Sequence, residues 1–389
     1  MGLNRNLLAC AAVLSLAASA VARVGVDENV SNVNPQSAMA PAAMSGDGGS
    51  GGASGFDVKE GGFYWRSNDG KNKLVVGGML QGQFFGQTLE GDANDTATFR
   101  VRRARLSFNG NLYQENFKYF VQVAADHGQD LELLDGWVKY VYSDSFAFKV
   151  GQFKAPINRQ FMTSEGKLQF VNQSLASAYF SGSDVFNTAV AEREVGVEAS
   201  GGFSDNKLQW AGAFVNGNGR NRDNGDTKFQ YIGRIAYNIA GDYGYSEGDT
   251  ENSDKAAATV GFGTSYHDSE GKAAQTAINL DGGFKHKGAS IQGEYYWVRN
   301  TDINANHVDV NAAYIQGGYF IAANKAELAG RWSNLAPEGK DNNINEYTFG
   351  FNYYWFGHRL KAQANYTRLD PQASSDGVNQ FWAQLQAMF

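Results

Sequence analysis

The chain has 389 residues, a formal net charge of −7 and a mean hydropathy of −0.42. The acidic balance argues against a general nucleic-acid-binding protein, because such proteins neutralise phosphates with an excess of Lys and Arg. No run of about 18 apolar residues follows residue 22, which excludes a helical membrane protein. The 47 Gly, 26 Phe and 19 Tyr alongside only 5 Pro are typical of closed β-ladders with aromatic girdles.

The first 22 residues have the features of a secretory signal peptide. Arg5 lies in a short polar start, an apolar run extends from Leu7 to Ala18, and small residues end at Ala22. We therefore expect cleavage after Ala22. The single cysteine, Cys10, is removed with this segment, so the mature chain is expected to have neither a disulfide nor thiol chemistry.

Residues 23–60 are rich in Gly, Ser and Ala and predict a flexible linker. The rest of the chain, 61–389, contains sixteen segments in which apolar and polar side chains alternate with the period of a β-strand. These segments cover residues 73–88, 98–111, 117–126, 132–142, 146–154, 193–203, 206–216, 228–239, 256–267, 274–284, 288–299, 307–320, 324–333, 345–356, 358–369 and 378–389.

The connections between these segments alternate between short and long. Tight periplasmic turns and long outer loops are the organisation of bacterial outer-membrane barrels, so we predict an all-β, transmembrane antiparallel barrel of about sixteen strands. A soluble β-sandwich is the less favoured alternative, because its connections need not alternate in length. The connection 240–255 breaks the rule: its place in the series predicts a short turn, yet it has sixteen residues.

The final segment carries the pattern of a lipid-facing strand. Phe381, Leu385 and Phe389 share one face, while Gln384 and Gln386 lie on the other. Apolar residues facing lipid and polar residues facing water are what a transmembrane strand requires. The terminal aromatic residue resembles the closing signal that the barrel assembly machinery reads, so Phe389 is predicted to be that signal.

The longest connection, 155–192, is predicted to fold into the barrel as a constriction. It carries many aromatic residues, which favours packing against the inner wall over exposure to water. An outer flap that packs on neighbouring loops is the alternative. The candidate constriction residues are Arg159, Phe161, Lys167 and Phe170.

Four stretches resemble the phosphate-selective porin O and P family. They are F-R-V-R-R-A-R-L-S-F at 99–108, V-G-Q-F-K-A-P at 150–156, R-E-V-G-V-E at 193–198 and G-A-S-I-Q-G-E-Y at 288–295. The resemblance implies a trimeric, sixteen-stranded porin of the Gram-negative outer membrane, with arginines and lysines along the pore.

Strand alternation assigns nearly equal numbers of basic and acidic side chains to the lumen. The basic set is Arg103, Arg105, Lys118, Lys139, Lys149, Arg234, Lys325, Arg331, Arg359 and Lys361. The acidic set is Asp126, Asp135, Glu194, Glu198, Asp281, Glu294, Asp309, Glu327 and Glu346. We take Arg103, Arg105, Lys118, Lys139, Lys149, Arg234 and Arg331 as the candidate anion-interacting residues. The same alternation places Arg100 and Arg102 on the lipid-facing side, at the outer end of their strand.

This balance predicts a diffusion porin for small hydrophilic solutes and ions with a mild preference for anions. A channel selective for phosphate or polyphosphate is the alternative, and a structural barrel tethered to the cell envelope is the second. No enzyme and no cofactor are expected, because the five histidines fall at predicted strand ends or turns. The expected partners are small solutes, outer-membrane lipid and lipopolysaccharide, the barrel assembly machinery and further copies of the chain.

Overall fold

The computed structural model describes residues 53–57, 62–90, 95–181, 190, 192–268, 274–301, 304, 306–339, 343–372 and 376–389. The strands are β1 Ser54–Asp57, β2 Gly62–Arg66, β3 Lys73–Leu89, β4 Thr96–Asn111, β5 Phe117–Ala124, β6 Glu132–Ser143, β7 Phe146–Lys154, β8 Arg193–Phe203, β9 Leu208–Val215, β10 Gln230–Ala240, β11 Ala257–His267, β12 Ala274–His286, β13 Ala289–Thr301, β14 His307–Ala322, β15 Ala326–Pro337, β16 Ile344–Tyr354, β17 Leu360–Pro371 and β18 Val378–Met388. Two short helices, α1 Arg159–Met162 and α2 Leu175–Phe180, lie between β7 and β8.

Strands β3 to β18 form a closed barrel of sixteen antiparallel strands. Each strand pairs with the next, and β18 returns to β3 with Val378 opposite Leu89 and Met388 opposite Met79. Closure pairs the backbone groups of every wall strand, which a bilayer requires. The predicted fold class is confirmed, and two of the predicted segments, 146–154 and 193–203, coincide with β7 and β8. Among the described residues, no helix is long and apolar enough to span a membrane.

A short hairpin-like extension precedes the barrel. Strand β2 pairs with the first residues of β3, with Phe63 opposite Val76, and β1 pairs with β2. The rings of Phe56 and Phe63 lie 4.9 Å apart between their centroids. Strand β2 occupies the edge of β3 beyond the end of β18. Residues 54–57 of the predicted linker 23–60 form β1, and the flexibility of that linker stays a prediction. The predicted signal peptide and most of that linker lie outside the described residues.

The two faces of the wall differ as the alternation predicts. On β16, Phe349 is 67% exposed while its neighbour Thr348 is 1% exposed. On β18, Leu385 is 56% exposed and Gln386 is 0% exposed. Apolar side chains therefore point outward to lipid, and polar side chains point inward.

A β-bulge reverses the predicted orientation of one arginine. The pairing of β3 with β4 shifts between Gln81 and Gly82, so that Arg102 is the extra residue and Arg100 lies opposite Gln83. The Nε of Arg100 donates to the Oε1 of Gln83 at 3.2 Å on the inner face. The prediction that Arg100 faces lipid was therefore wrong, because period-two alternation does not continue through a bulge.

Candidate functional site

The first part of the β7–β8 connection, residues 155–181, lies inside the barrel, and we call it the inserted loop. The backbone N–H groups of Arg159 and Gln160 donate to the Glu294 carboxylate at 3.0 and 2.6 Å. Farther along, the N–H of Leu175 donates to Glu346 at 2.6 Å. Because both acceptors lie on the inner face of the wall, the inserted loop packs against β13 and β16 from within.

Side chains of the wall also hold the inserted loop. Asp281 pairs with the Nε of Arg159 and with the Nη1 of Arg234, each at 2.7 Å. Arg234 also donates to the carbonyl oxygen of Ile157 at 2.7 Å. Gln169 donates to the Oε1 of Glu327 at 2.5 Å. The carboxylates of this part of the wall are therefore engaged by the loop rather than by solvent.

Apolar packing completes the contact. Phe180 of α2 lies 4.6 Å from the ring of Tyr296, measured between centroids, in a buried cluster that includes Ile157 and Leu335. The ring of Phe170 is 1% exposed and lies 4.6 Å from the Arg331 guanidinium carbon. We call the side covered in this way, β11 to β17, the packed wall.

The unusually long connection between β10 and β11 is a second inserted segment. This inserted turn, residues 241–256, places Glu247 against the inserted loop. The Glu247 carboxylate accepts hydrogen bonds from the Gln160 side chain and from the Gln169 N–H, both at 2.8 Å. The backbone N–H of Glu247 donates to the Lys167 carbonyl oxygen at 3.0 Å. The inserted turn is therefore long enough to enter the barrel and contact the inserted loop from the opposite end.

The space left beside the inserted loop is a cavity of about 800 Å³ along β4 to β9, which we call the open wall. Its basic lining residues are Arg105, Lys118, Lys139, Lys149, Lys154, Arg193 and Arg234. Its acidic lining residues are Asp135, Asp144, Glu165 and Glu198. Of these seven basic groups, Arg105 and Arg234 pair with Asp126 and Asp281, and three more pair with carboxylates of the lining. The cationic excess of the cavity therefore rests on Lys118 and Lys139.

Three lysines form a row across the open wall, and we call it the lysine row. Lys118 lies opposite Lys139, and Lys139 lies opposite Lys149. The Nζ of Lys149 pairs with Glu198 at 2.7 Å, while Lys139 donates to the Ser200 hydroxyl at 3.5 Å. In the part of the chain that the structure describes, no carboxylate pairs with Lys118 or Lys139. Like charges directly opposite each other destabilise a sheet, so wall stability does not account for this row.

An ionic cluster joins the inserted loop to the open wall. Arg105 donates to Asp126 at 2.5 Å and to Glu165 at 2.9 Å. Lys154 donates to the carbonyl oxygens of Phe161 and Thr163 at 2.6 and 3.0 Å. Burial alone would raise the pKa of Glu165, but the charges of Lys154 and Arg105 hold it well below its usual value. Glu165 therefore stays ionised as a fixed negative charge in the passage.

The structure divides the predicted site residues into those that line the cavity and those that are buried outside it. Arg105, Lys118, Lys139, Lys149 and Arg234 line the cavity. Arg103 instead is buried and donates to Gln81 at 2.8 Å, and Arg331 is buried beneath the inserted loop.

Three of the four predicted constriction residues hold the loop in place. Arg159, Phe161 and Phe170 are buried in its contacts, whereas Lys167 is exposed and lies outside the cavity lining. That these residues limit the passage of solutes stays a prediction. Phe389 closes the last strand through two backbone hydrogen bonds with Gly78, at 2.8 and 3.1 Å. Its role in assembly likewise stays a prediction.

Sequence reasoning missed Lys154 and Arg193, which alternation assigns to the lipid side. Gly151 has a φ of +130°, and the residues after it, Gln152 and Phe153, are both buried. The regular alternation of β7 therefore ends there, and Lys154 bonds to the inserted loop. A glycine inside a strand pattern is a known signal for such an interruption.

The comparisons with known proteins agree with this architecture. Residues 76–389 match the family model described as phosphate-selective porin O and P. The chain belongs to this family. It is therefore a porin of the bacterial outer membrane, as the sequence predicted, and its family is one of channels rather than enzymes. No curated protein sequence matches this porin.

Solved porin structures share its fold at low sequence identity. An anion-selective porin from Comamonas acidovorans has a TM-score of 0.59 at 12% identity, covering 82% of this chain and 100% of that chain. OprB from Pseudomonas putida has a TM-score of 0.59 at 11% identity, covering 85% and 95%. The trimer form of OmpT from Vibrio cholerae has a TM-score of 0.54 at 14% identity, covering 81% and 99%.

Proposed function

We propose that this porin is an anion-preferring diffusion channel whose passage follows the open wall. The observation that carries the proposal is the lysine row, in which Lys118 and Lys139 face the cavity without a carboxylate partner among the described residues. A lumen lined by one sign of charge raises the local concentration of the opposite ion. The inserted loop and the inserted turn fill the other side, so they set the size limit for solutes.

The acidic residues of the lumen do not cancel this field. Asp281, Glu294, Glu327 and Glu346 accept hydrogen bonds or ion pairs from the inserted loop. All four are buried between the inserted loop and the packed wall, and none of them belongs to the cavity lining. The near balance of ten basic and nine acidic residues that alternation assigns to the lumen therefore becomes a cationic excess where solutes pass.

The test is the reversal potential of the purified porin in a planar bilayer under a KCl gradient. The proposal expects chloride to be more permeant than potassium. A reversal potential that indicates equal permeability or cation preference would overturn it. An absence of conductance would support the alternative of a structural barrel.

A phosphate-selective channel is the second candidate, and the adjacent lysines are the observation that favours it. Several donors must converge to replace the hydration shell of phosphate. Inorganic phosphate added to one side during the same recording separates the two candidates. Block of the chloride current at low phosphate indicates a selective site, whereas a weak effect indicates general anion preference.

The expected partners follow from this setting. We propose a homotrimer, because the family resemblance implies one and the OmpT neighbour is described in a trimer form. Acidic residues of the outer loops, such as Asp223 and Asp226 between β9 and β10, are proposed to contact lipopolysaccharide through divalent cations. The closing strand with Phe389 is proposed to be recognised by the barrel assembly machinery. Catalysis is not proposed.

A further inference from the structure

Two aromatic side chains line the passage on the open wall. Phe120 of β5 and Trp137 of β6 lie opposite each other, and their rings stack at 5.6 Å between centroids with an angle of 29° between planes. Both belong to the cavity lining and are only half-buried. We call them the aromatic pair. Exposing apolar rings to a water-filled passage does not stabilise the folded barrel.

On the packed wall, inward-facing aromatic residues have a different environment. Tyr296, Tyr314 and Tyr354 are each 2% exposed or less beneath the inserted segments. Their burial explains why the wall carries them. Phe120 and Trp137 keep surface open to the cavity, so packing accounts for only part of their environment.

The aromatic pair adjoins the lysine row on the same face. Phe120 is two residues from Lys118 along β5, and Trp137 is two residues from Lys139 along β6. Residues two apart on a strand are separated by roughly 6.5 to 7 Å. The Nζ of Lys149 lies 5.7 Å from the centroid of the Trp137 ring. Rings and ammonium groups therefore form one continuous surface along the passage.

We propose that this surface favours organic anions that carry an aromatic ring next to a carboxylate, over small anions without a ring. This inference rests on the proposed function and names its substrate class. A ring that stacks on the aromatic pair places an attached carboxylate within reach of the long side chains of Lys118 and Lys139. Aromatic stacking supplies the preference for the ring, and the ammonium groups supply the preference for the charge.

The wall is built to hold this surface in place. Trp137 packs against the buried cluster around Phe153, so its ring is supported from one side. Lys149 lies 4.2 Å from the Phe153 ring centroid and pairs with Glu198. Lys118 and Lys139 are left to supply the excess positive charge. The surface thus combines a fixed apolar part with two flexible cationic side chains.

The experiment compares benzoate with acetate as blockers of the chloride current through single channels of the purified porin. The two anions carry the same charge, and only benzoate has a ring. We expect half-block by benzoate at a concentration about three- to tenfold lower than for acetate, a factor set by the strength of aromatic stacking. Trp137→Gln should abolish the difference, while Trp137→Phe, the matched control, should retain most of it.

Phe120→Gln provides a second arm in case Trp137→Gln does not fold, and it should also reduce the difference. Equal block by benzoate and acetate in the unaltered porin would overturn the inference. So would an unchanged benzoate preference in folded Trp137→Gln or Phe120→Gln channels. If chloride preference is present without any benzoate preference, this inference fails and the proposed function stands. If chloride preference itself is absent, the proposed function fails.

Discussion

The packed wall and the open wall use inward-facing charges in opposite ways. On the packed wall, Glu294 and Glu346 accept hydrogen bonds from backbone N–H groups of the inserted loop. On the open wall, Lys118 and Lys139 face a cavity and have no carboxylate partner within the described chain. The first set of charges stabilises a loop, and the second remains available to solutes.

This difference shows that the side of a strand on which a residue lies does not decide its role. Arg331 of β15 and Lys139 of β6 both point inward from the wall. Arg331 is buried between Glu346 and the inserted loop, whereas Lys139 lines the passage. The role depends on whether a loop covers the residue, so substitutions on the two walls should produce different kinds of effect.

The largest expected effect is release of the inserted loop by Glu294→Ala. The change leaves the N–H groups of Arg159 and Gln160 buried without an acceptor, at a cost of roughly 1 to 3 kcal/mol each. We expect the loop to leave the packed wall, so that single-channel conductance rises and larger polyethylene glycols enter the pore. The measurement is conductance together with polymer exclusion.

The control for this prediction is Glu294→Gln, which keeps one acceptor oxygen and should give a smaller rise. Unchanged conductance and polymer exclusion in a folded Glu294→Ala channel would show that these hydrogen bonds do not hold the loop. Other contacts would then hold the inserted loop against the packed wall.

Arg331→Gln should lower stability without a change in ion selectivity. The Nε of Arg331 donates to the buried Glu346 carboxylate at 2.7 Å, and the substitution removes this ion pair. Breaking a buried ion pair costs about 3 to 5 kcal/mol. The temperature at which the folded barrel converts to the slow-migrating unfolded form on a denaturing gel reports this loss. A reversal potential that moves toward cation preference in this variant would contradict the assignment of Arg331 to the packed wall.

Glu165→Gln should increase anion preference by a smaller amount. It removes one of the four acidic groups of the cavity lining and frees Arg105 and Lys154 from a negative partner. We expect the reversal potential to move further toward that of chloride. An unchanged reversal potential would mean that ions do not pass this cluster, and a shift in the opposite direction would contradict the prediction.

The smallest expected effect is the pH dependence of the shift in reversal potential that Glu165→Gln causes. The pKa of Glu165 is held well below its usual value of 4.5, since the charges of Lys154 and Arg105 outweigh the effect of burial. A carboxyl group with a lowered pKa keeps its charge until the pH falls through that lowered value. The difference in reversal potential between Glu165→Gln and the unaltered porin should therefore stay constant from pH 7 to pH 4.5, where a carboxyl with the usual pKa would be half protonated. A difference that shrinks over this range would show an ordinary carboxyl.

Alternation and turn residues predicted the barrel well, because each wall strand must present one face to lipid. The sixteen predicted segments all became strands, and their faces agree with the exposure of residues such as Phe349 and Thr348. The prediction failed where the backbone departs from regular pairing. The β-bulge at Arg102 directs Arg100 inward. The interruption of alternation at Gly151 brings Lys154 into contact with the inserted loop.

The division into packed and open walls could not be predicted from the sequence. Alternation identifies Glu294 and Lys118 equally as inward-facing residues. Their different roles arise from contacts with the inserted loop, which lies far from both along the chain. The excess length of 240–255 was visible, but nothing in its pattern showed that Glu247 meets Gln160 and Gln169 inside the barrel.

The central claim, that the open wall sets selectivity, is tested most directly by the reversal potential of Lys118→Gln with Lys139→Gln under a KCl gradient. Glutamine keeps much of the length and polarity of lysine while removing the charge. The account predicts that the double variant loses most of the chloride preference, at unchanged gel mobility of the folded barrel, while Arg331→Gln keeps it. An unchanged reversal potential in the double variant would contradict the account.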